Sequence, residues 1–169
     1  MRKLRLLLTL NCPRSCPGCC NNGYDTDLIP VCVSYLSWDE IILTGGEPML
    51  NPKKVLSVIE EIRESNPTAK IYMYTATYDI PDLGWVLYFL DGVTITLHNQ
   101  DDVEKFQRLN EYLGDWDRKN RSIRLNVFKG VDCGIINPTN LTIKKDVEWL
   151  DECHLPVNET LMKEALCHN

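Results

Sequence analysis

The sequence predicts an α/β protein built on a parallel sheet, and three observations carry that reading. Short runs of alternating or apolar residues recur up to residue 128, separated by stretches whose apolar residues repeat at helical spacing. Strand, helix, strand in that order calls for right-handed crossovers and a parallel sheet. The two stretches that fit neither pattern, "NCPRSCPGCCNNGY" and "TGGEP", each follow a strand. Chemistry in parallel α/β proteins collects at that carboxyl edge.

The elements follow in order. "KLRLLLTL" (residues 3–10) is a first strand, with Leu4, Leu6, Leu8 and Leu10 alternating. "DEIILT" (39–44) is a second. "NPKKVLSVIEEIRESNP" is a helix: Asn51 caps it, Pro52 suits its first turn, and Val55, Leu56, Ile59 and Ile62 form one stripe. Asn66-Pro67 ends it. "KIYMYT" (70–75) is a third strand, followed by a helix over 81–90 with Leu83, Val86, Leu87 and Leu90 inward. "GVTITL" (92–97) is a fourth strand. A helix over 100–113 carries Val103, Phe106, Leu109 and Leu113 and stops at Gly114. "SIRLNVF" (122–128) is a fifth strand. The first crossover is shortened, because the cysteine loop takes half of it, and leaves room for a short helix near 31–37. Beyond residue 130 the pattern is less regular, with two weak helices near 143–153 and 159–167. No repeat, low-complexity segment or linker interrupts the chain. Its 169 residues suit one domain, with a core of about 1–130 and a C-terminal extension of 131–169.

A net charge of −6 argues against non-specific binding to nucleic acid or an anionic membrane, though a local basic groove stays open. The opening "MRKLRLLLTLNC" has the outline of an export leader. Arg5 interrupts its apolar run, and no small-residue cleavage site follows. No run is long enough to span a membrane. The expectation is a cytoplasmic protein whose cysteines are reduced thiols or metal ligands rather than disulfides.

Four of the eight cysteines lie between residues 12 and 20. Cys12, Cys16 and Cys19 have C-x3-C-x2-C spacing, and Pro13, Pro17 and Gly18 can turn three thiolates toward one point. Such a set serves zinc or an iron–sulfur cluster. Structural zinc wants a fourth ligand, and Cys20, next to Cys19, points awkwardly for that. A four-iron cluster on three cysteines keeps one iron open, which suits catalysis. Cys32, Cys133, Cys153 and Cys167 are scattered, so buried apolar packing is the default. Cys153-His154 and Cys167-His168 form a tail pair with metal-ligand chemistry.

The C-x3-C-x2-C loop after one strand and "LTGGEP" after the next resemble the radical S-adenosylmethionine superfamily. The resemblance covers roughly residues 1–130 and implies a partial (β/α) barrel of parallel strands. It implies that Cys12, Cys16 and Cys19 hold a [4Fe-4S] cluster whose open iron is chelated by S-adenosylmethionine. Reduction would then yield a 5′-deoxyadenosyl radical that takes a hydrogen atom from a substrate. Gly45, Gly46, Glu47 and Pro48 match the motif that receives the methionine amino group. Glycines let a backbone approach a ligand, and an ammonium wants carbonyl and carboxylate acceptors. The plainer reading of "GGEP" is a turn into the next helix. The family places polar residues at later strand ends, where Thr75, Thr96, His98 and Asn126 lie. Thr96 and Asn126 are favoured, since both alternate with apolar neighbours. His98 reads as a solvated loop residue, with an acid–base role as the alternative.

Two departures stand out. Cys20 occupies a place where many relatives carry an aromatic residue beside the adenine, and Tyr24 is a candidate to replace that packing. The short first crossover implies a smaller, more open barrel, which suits a macromolecular substrate. "CPGCCNN" and "IYMYTATYDIPDL" resemble the anaerobic ribonucleotide reductase activase, an enzyme that abstracts hydrogen from a partner protein's glycine. "GVTITLHNQDD" lacks that family's "D-G-P-F" ending. Direct modification of a peptide, nucleoside or small molecule is the second reading, and a non-catalytic iron–sulfur or zinc module the third. The resemblance also implies an electron donor such as flavodoxin or ferredoxin. The residues name neither a catalytic side chain nor a substrate.

Overall fold

The computed structural model describes residues 1–114, 119–134, 136, 141–150 and 154–165. Strands β1 (Lys3–Thr9), β2 (Glu40–Gly45), β3 (Lys70–Thr75), β4 (Gly92–Leu97), β5 (Ser122–Phe128), β6 (Leu141–Val147) and β7 (Glu159–Lys163) form one sheet in the order β6-β5-β4-β3-β2-β1-β7. Every pairing is parallel. Helices α1 (Pro52–Ser65), α2 (Ile80–Leu87) and α3 (Asp101–Tyr112) are the crossovers between β2 and β3, β3 and β4, and β4 and β5. Among the described residues the sheet is open, with β6 and β7 at its edges, and the architecture is that of a partial β/α barrel.

The helices all cover one face. Leu4, Leu6 and Leu8, Ile41 and Leu43, Ile71 and Met73, Val93, Ile95 and Leu97, and Ile123, Leu125 and Val127 alternate onto that face. They share one core with Val55, Val58, Ile59 and Ile62 of α1, Leu83, Val86 and Leu87 of α2, and Val103, Phe106 and Leu109 of α3. Each such side chain contributes about 1.5–3 kcal/mol on burial. Asn51 caps α1 as expected, its Oδ1 accepting from Lys54 N at 3.1 Å. The opposite face is polar. There Lys3 pairs with Glu40 at 2.9 Å and Arg5 with Glu159 at 2.7 Å.

Three expected helices are absent. Residues 31–37 are extended and turned: Val31 bridges Lys163, and Cys32 N donates to Lys163 O at 2.8 Å. Pro30 and the β-branched Val31 and Val33 suit a chain running beside a strand. The helical turn in that crossover is a 3-10 turn, Cys20–Gly23. In the tail, the spans 143–153 and 159–167, expected to be helical, carry strands β6 and β7, and the rest of their described residues are not helical either. β5 and β1 each offered an unpaired edge, and backbone groups at such an edge seek partners whatever the local helix propensity. The segment after residue 130 thus supplies both edges of the sheet. Residues 151–153 and 166–167 lie outside the described residues. Helix α2 ends at Leu87, earlier than expected, and the chain turns through Leu90, which is buried. Among the described residues no helix is long and apolar enough to cross a membrane.

Asp91, just before β4, ties this end of the sheet together. It accepts from Lys70 Nζ at 2.8 Å, Ile71 N at 2.9 Å and Arg63 Nη2 at 2.9 Å. Burial pushes its carboxyl up, but the bonds from Lys70, Ile71 and Arg63 outweigh it and hold the pKa below 3.8. A depressed carboxylate stabilises the fold fully above its unfolded pKa, and that contribution is lost as pH falls through the folded value. Asp91→Asn should therefore cost about 1–2 kcal/mol in urea unfolding at pH 7. The gap between variant and wild type should close as pH drops below 3.8.

Candidate functional site

The end of β2 is knitted to the start of the cysteine loop. Gly45 has φ 125, and a Cβ there would lie 2.3 Å from Thr9 O, so glycine is required. Gly46 N donates to Thr9 O at 2.6 Å, and Glu47 N donates to Asn11 O at 2.8 Å. A Cβ on Gly46 would fall 2.1 Å from Asn11 O. The close approach at Gly46 is thus to the residue before Cys12. Asn21 Nδ2 donates to Gly45 O and fastens the far side of the loop to the same turn.

Glu47 is 2% exposed, and its carboxylate accepts four hydrogen bonds. Met49 N donates at 3.0 Å, Thr75 Oγ1 at 2.6 Å, and Ala76 N and Thr77 N at 2.8 Å each. A carboxylate offers about four lone-pair sites, so the set is filled. One oxygen caps the 3-10 turn Pro48–Leu50, and the other grips the chain leaving β3. Pro48 is buried in that turn, off the cavity wall.

Arg14, between Cys12 and Cys16, anchors the loop to the ends of β3 and β4. Its Nε donates to Thr77 Oγ1 at 2.9 Å, its Nη2 to Ala76 O at 2.9 Å, and its guanidinium forks onto the Asp102 carboxylate. Asp102 stands at the start of α3 and also accepts from His98 N at 2.8 Å and Asn99 N at 3.2 Å. In return Asn99 Oδ1 accepts from Asp102 N, a reciprocal cap. Burial pushes the Asp102 carboxyl up, but the bond from Arg14 prevails and its pKa is lowered, while the bond to Asp102 raises that of Arg14. The Arg14 and Asp102 side chains are 20% and 10% exposed. Removing one partner of a buried pair costs roughly 3–5 kcal/mol. Asp102→Ala should fall at the low end of that range in chemical denaturation, since Arg14 keeps Thr77 Oγ1, Ala76 O and His98 Nδ1 as partners, and bound iron should fall with it.

These elements enclose a cavity of about 300 Å3 at the carboxyl edge of the sheet. Cys12, Cys16 and Cys19 line it from the loop, and Gly45, Gly46 and Glu47 from the β2 turn. Thr96 and Asn126 are register partners on β4 and β5, and both line the wall. Thr75 is there too, with its hydroxyl on Glu47. His98 is no solvated loop residue. Its ring stacks on Trp149 at 5.1 Å and 6°, and lies 4.8 Å from Phe128. Burial, then the charge of Arg14, lowers its pKa. Trp149 also presses on the cysteine loop: a Cβ on Gly18 would meet Trp149 Cβ at 2.8 Å.

Cys12, Cys16 and Cys19 are free thiols. Burial raises the Cys16 pKa, and neighbouring Cys19 and Cys12 add to it. Cys20 is disulfide-bonded, against the expectation that the cysteines are reduced thiols. It lines the cavity together with Tyr24. Cys32 and Cys133 are buried, as expected. Cys153, Cys167 and His168 lie outside the described residues. Among the described residues no group of three His, Cys, Asp or Glu side chains is already drawn together around a metal-sized point. The donor set nonetheless suits an iron–sulfur cluster, because three free thiols share one cavity wall. Sequence reasoning missed Arg14, Asp102, Phe128 and Trp149. A charged residue inside the cysteine spacing and the "HNQDD" cap signal pointed to the first two.

A cysteine loop meeting a glycine turn at the carboxyl edge of an open parallel β/α sheet defines a cofactor-binding α/β protein. The particular kind follows from comparison: the family model of the 4Fe-4S single cluster domain matches residues 3–96. The match spans more than half of the chain, and the chain belongs to that family. A 4Fe-4S cluster is accordingly its indicated cofactor. Comparison with curated proteins gave no match.

Proposed function

We propose that this protein is a radical S-adenosylmethionine enzyme, with Cys12, Cys16 and Cys19 as the cluster ligands. One observation carries the reading: three free thiols share a cavity with the glycine turn of β2 and the ends of β4 and β5. The matched stretch holds two other cysteines, and both are otherwise engaged. Cys20 is in a disulfide, and Cys32 is buried with its thiol toward Ser34 O. When bound and reduced, the cluster with S-adenosylmethionine supplies a 5′-deoxyadenosyl radical for hydrogen abstraction.

The chain's own residues hold and orient. Glu47 has no free lone pair, so it offers the methionine ammonium a negative field and fixes the backbone of Ala76 and Thr77. Thr96 and Asn126 present polar groups to the ribose and carboxylate. The stack of His98, Phe128 and Trp149 is an apolar wall that keeps water from the cavity. In this reading a flavodoxin or ferredoxin delivers the electron, in a cytoplasmic setting. An activase for a glycyl-radical partner and an enzyme acting directly on a peptide, nucleoside or small molecule would share this chemistry. The polar concave face favours the second.

The test is anaerobic reconstitution followed by metal and sulfide analysis, then electron paramagnetic resonance of the reduced protein. Iron and sulfide in equal amounts, with a spectrum that changes when S-adenosylmethionine is added, is the expected result. Stoichiometric zinc without sulfide would leave a zinc module. A cluster whose spectrum ignores the cofactor would leave a non-catalytic iron–sulfur protein.

A further inference from the structure

We propose that the concave face of the sheet is a substrate groove that takes a single carboxylate at Arg124; the role of the groove rests on the enzyme reading above.

Tyr74, Thr94, Arg124 and Thr142 pair across β3, β4, β5 and β6, so they form one row on one face. It is the face opposite the helices, since Val93, Ile95, Ile123 and Leu125 lie in the core. The next inward-facing pair toward the carboxyl edge is Thr96 and Asn126, which line the cysteine cavity. Two residues of strand separate Asn126 from Arg124, roughly 7 Å. A carboxylate at Arg124 would leave the other end of a short substrate at the cysteine end of the groove.

Lys3, Glu40, Tyr72, Tyr74, Thr94 and Arg124 line a separate small cavity on this face. Lys3 is paired with Glu40, and Arg5 is paired with Glu159 and lies over the Tyr74 ring. Arg124 has no ion pair or hydrogen bond among the described residues. Its charge works against that of Lys3, which Glu40 holds protonated. Around this cavity Lys3 and Arg5 thus have carboxylate partners and Arg124 has none among the described residues, in a chain whose net charge is −6; the other inward cation nearby, Lys144, sits one row further on, opposite Asn126. A planar guanidinium recognises a carboxylate in a two-pronged fashion.

Size and charge together choose the ligand. The cavity is about 80 Å3. A water molecule claims about 30 Å3 in the liquid, so the space suits a carboxyl head. A phosphate dianion would call for a second free cation at this level, and Lys3 and Arg5 are already neutralised. Tyr72, Tyr74 and Thr94 also line the cavity, and a hydroxyl can donate to a carboxylate oxygen.

The test reads Arg124 directly. The full chain, labelled with 15N-arginine, is titrated with sodium propionate, and separately with sodium phosphate, at constant ionic strength. The Nε–H resonance that disappears in Arg124→Gln is Arg124; this side chain is exposed, so the substitution leaves the core intact. The expected result is a saturating shift of that resonance with propionate, and a weaker response to phosphate. Arg121, bonded to Leu87 O and Tyr88 O, should stay still. A resonance that does not move, or that drifts without saturating for both anions, would make Arg124 a solvated surface cation. Tighter saturation by phosphate would overturn the carboxylate assignment. None of these readouts needs S-adenosylmethionine, so failure of the anion site and failure of the enzyme reading are separately visible.

Discussion

Alanine at Cys12, Cys16 or Cys19 should each abolish cluster binding, while Cys20→Ala should keep most of the iron. The three thiols are free and share one wall of the cavity, whereas the Cys20 sulfur is already taken up in a disulfide. A cluster held by three protein ligands has no spare donor, so losing one leaves two of the four irons without a protein ligand. The fold should survive, because none of the three belongs to the buried core. Iron and sulfide analysis after anaerobic reconstitution, with a melting temperature for each variant, separates lost ligation from lost structure. If Cys20→Ala loses iron as completely as Cys16→Ala, the three-ligand assignment is wrong.

Gly46→Val should lower stability and iron content together. Its Cβ would lie 2.1 Å from Asn11 O, 2.5 Å from Asn11 C and 2.8 Å from Leu10 C. All three are backbone atoms, so no flexible side chain can yield. Overpacking typically costs about 1–3 kcal/mol and occasionally more, and a backbone clash belongs at or above the top of that range. The displaced chain leads directly into Cys12, so the cluster ligands move with it. Gly23→Ala is the control, because a Cβ there meets nothing within 4 Å. The resemblance alone suggests another outcome, weakened cofactor binding with iron intact, since it places Gly46 against a ligand. Wild-type melting and iron content in Gly46→Val, with cofactor affinity reduced, would support that view and refute the packing account.

The central strands were legible because their signals are local and redundant. β3 and β5 carry period-2 burial, β4 is buried along almost its whole length, and each is bounded by a helix with its own stripe. β6 and β7 were not legible. "LTIKKDV" and "ETLMK" are mostly polar, and their strand state comes from pairing with β5 and β1 rather than from their own pattern. Thr96 and Asn126 were singled out by the resemblance, which points to the strand ends, together with their alternation with apolar neighbours, and both line the cavity. His98 was misread because its neighbours in space, Phe128 and Trp149, are distant in sequence. The glycine turn was found by its motif, but its physical cause, contact with Thr9 and Asn11, is visible only once β1 and β2 are side by side.

The central claim is that three thiolates at this edge support S-adenosylmethionine chemistry, and one measurement reaches it most directly. The reconstituted protein is reduced with dithionite without oxygen, given S-adenosylmethionine, and assayed for 5′-deoxyadenosine by mass spectrometry. The account predicts that 5′-deoxyadenosine and methionine form together, slowly without substrate, and that Cys16→Ala forms neither. A fully loaded, reduced wild-type protein that neither binds S-adenosylmethionine nor forms any 5′-deoxyadenosine would contradict it.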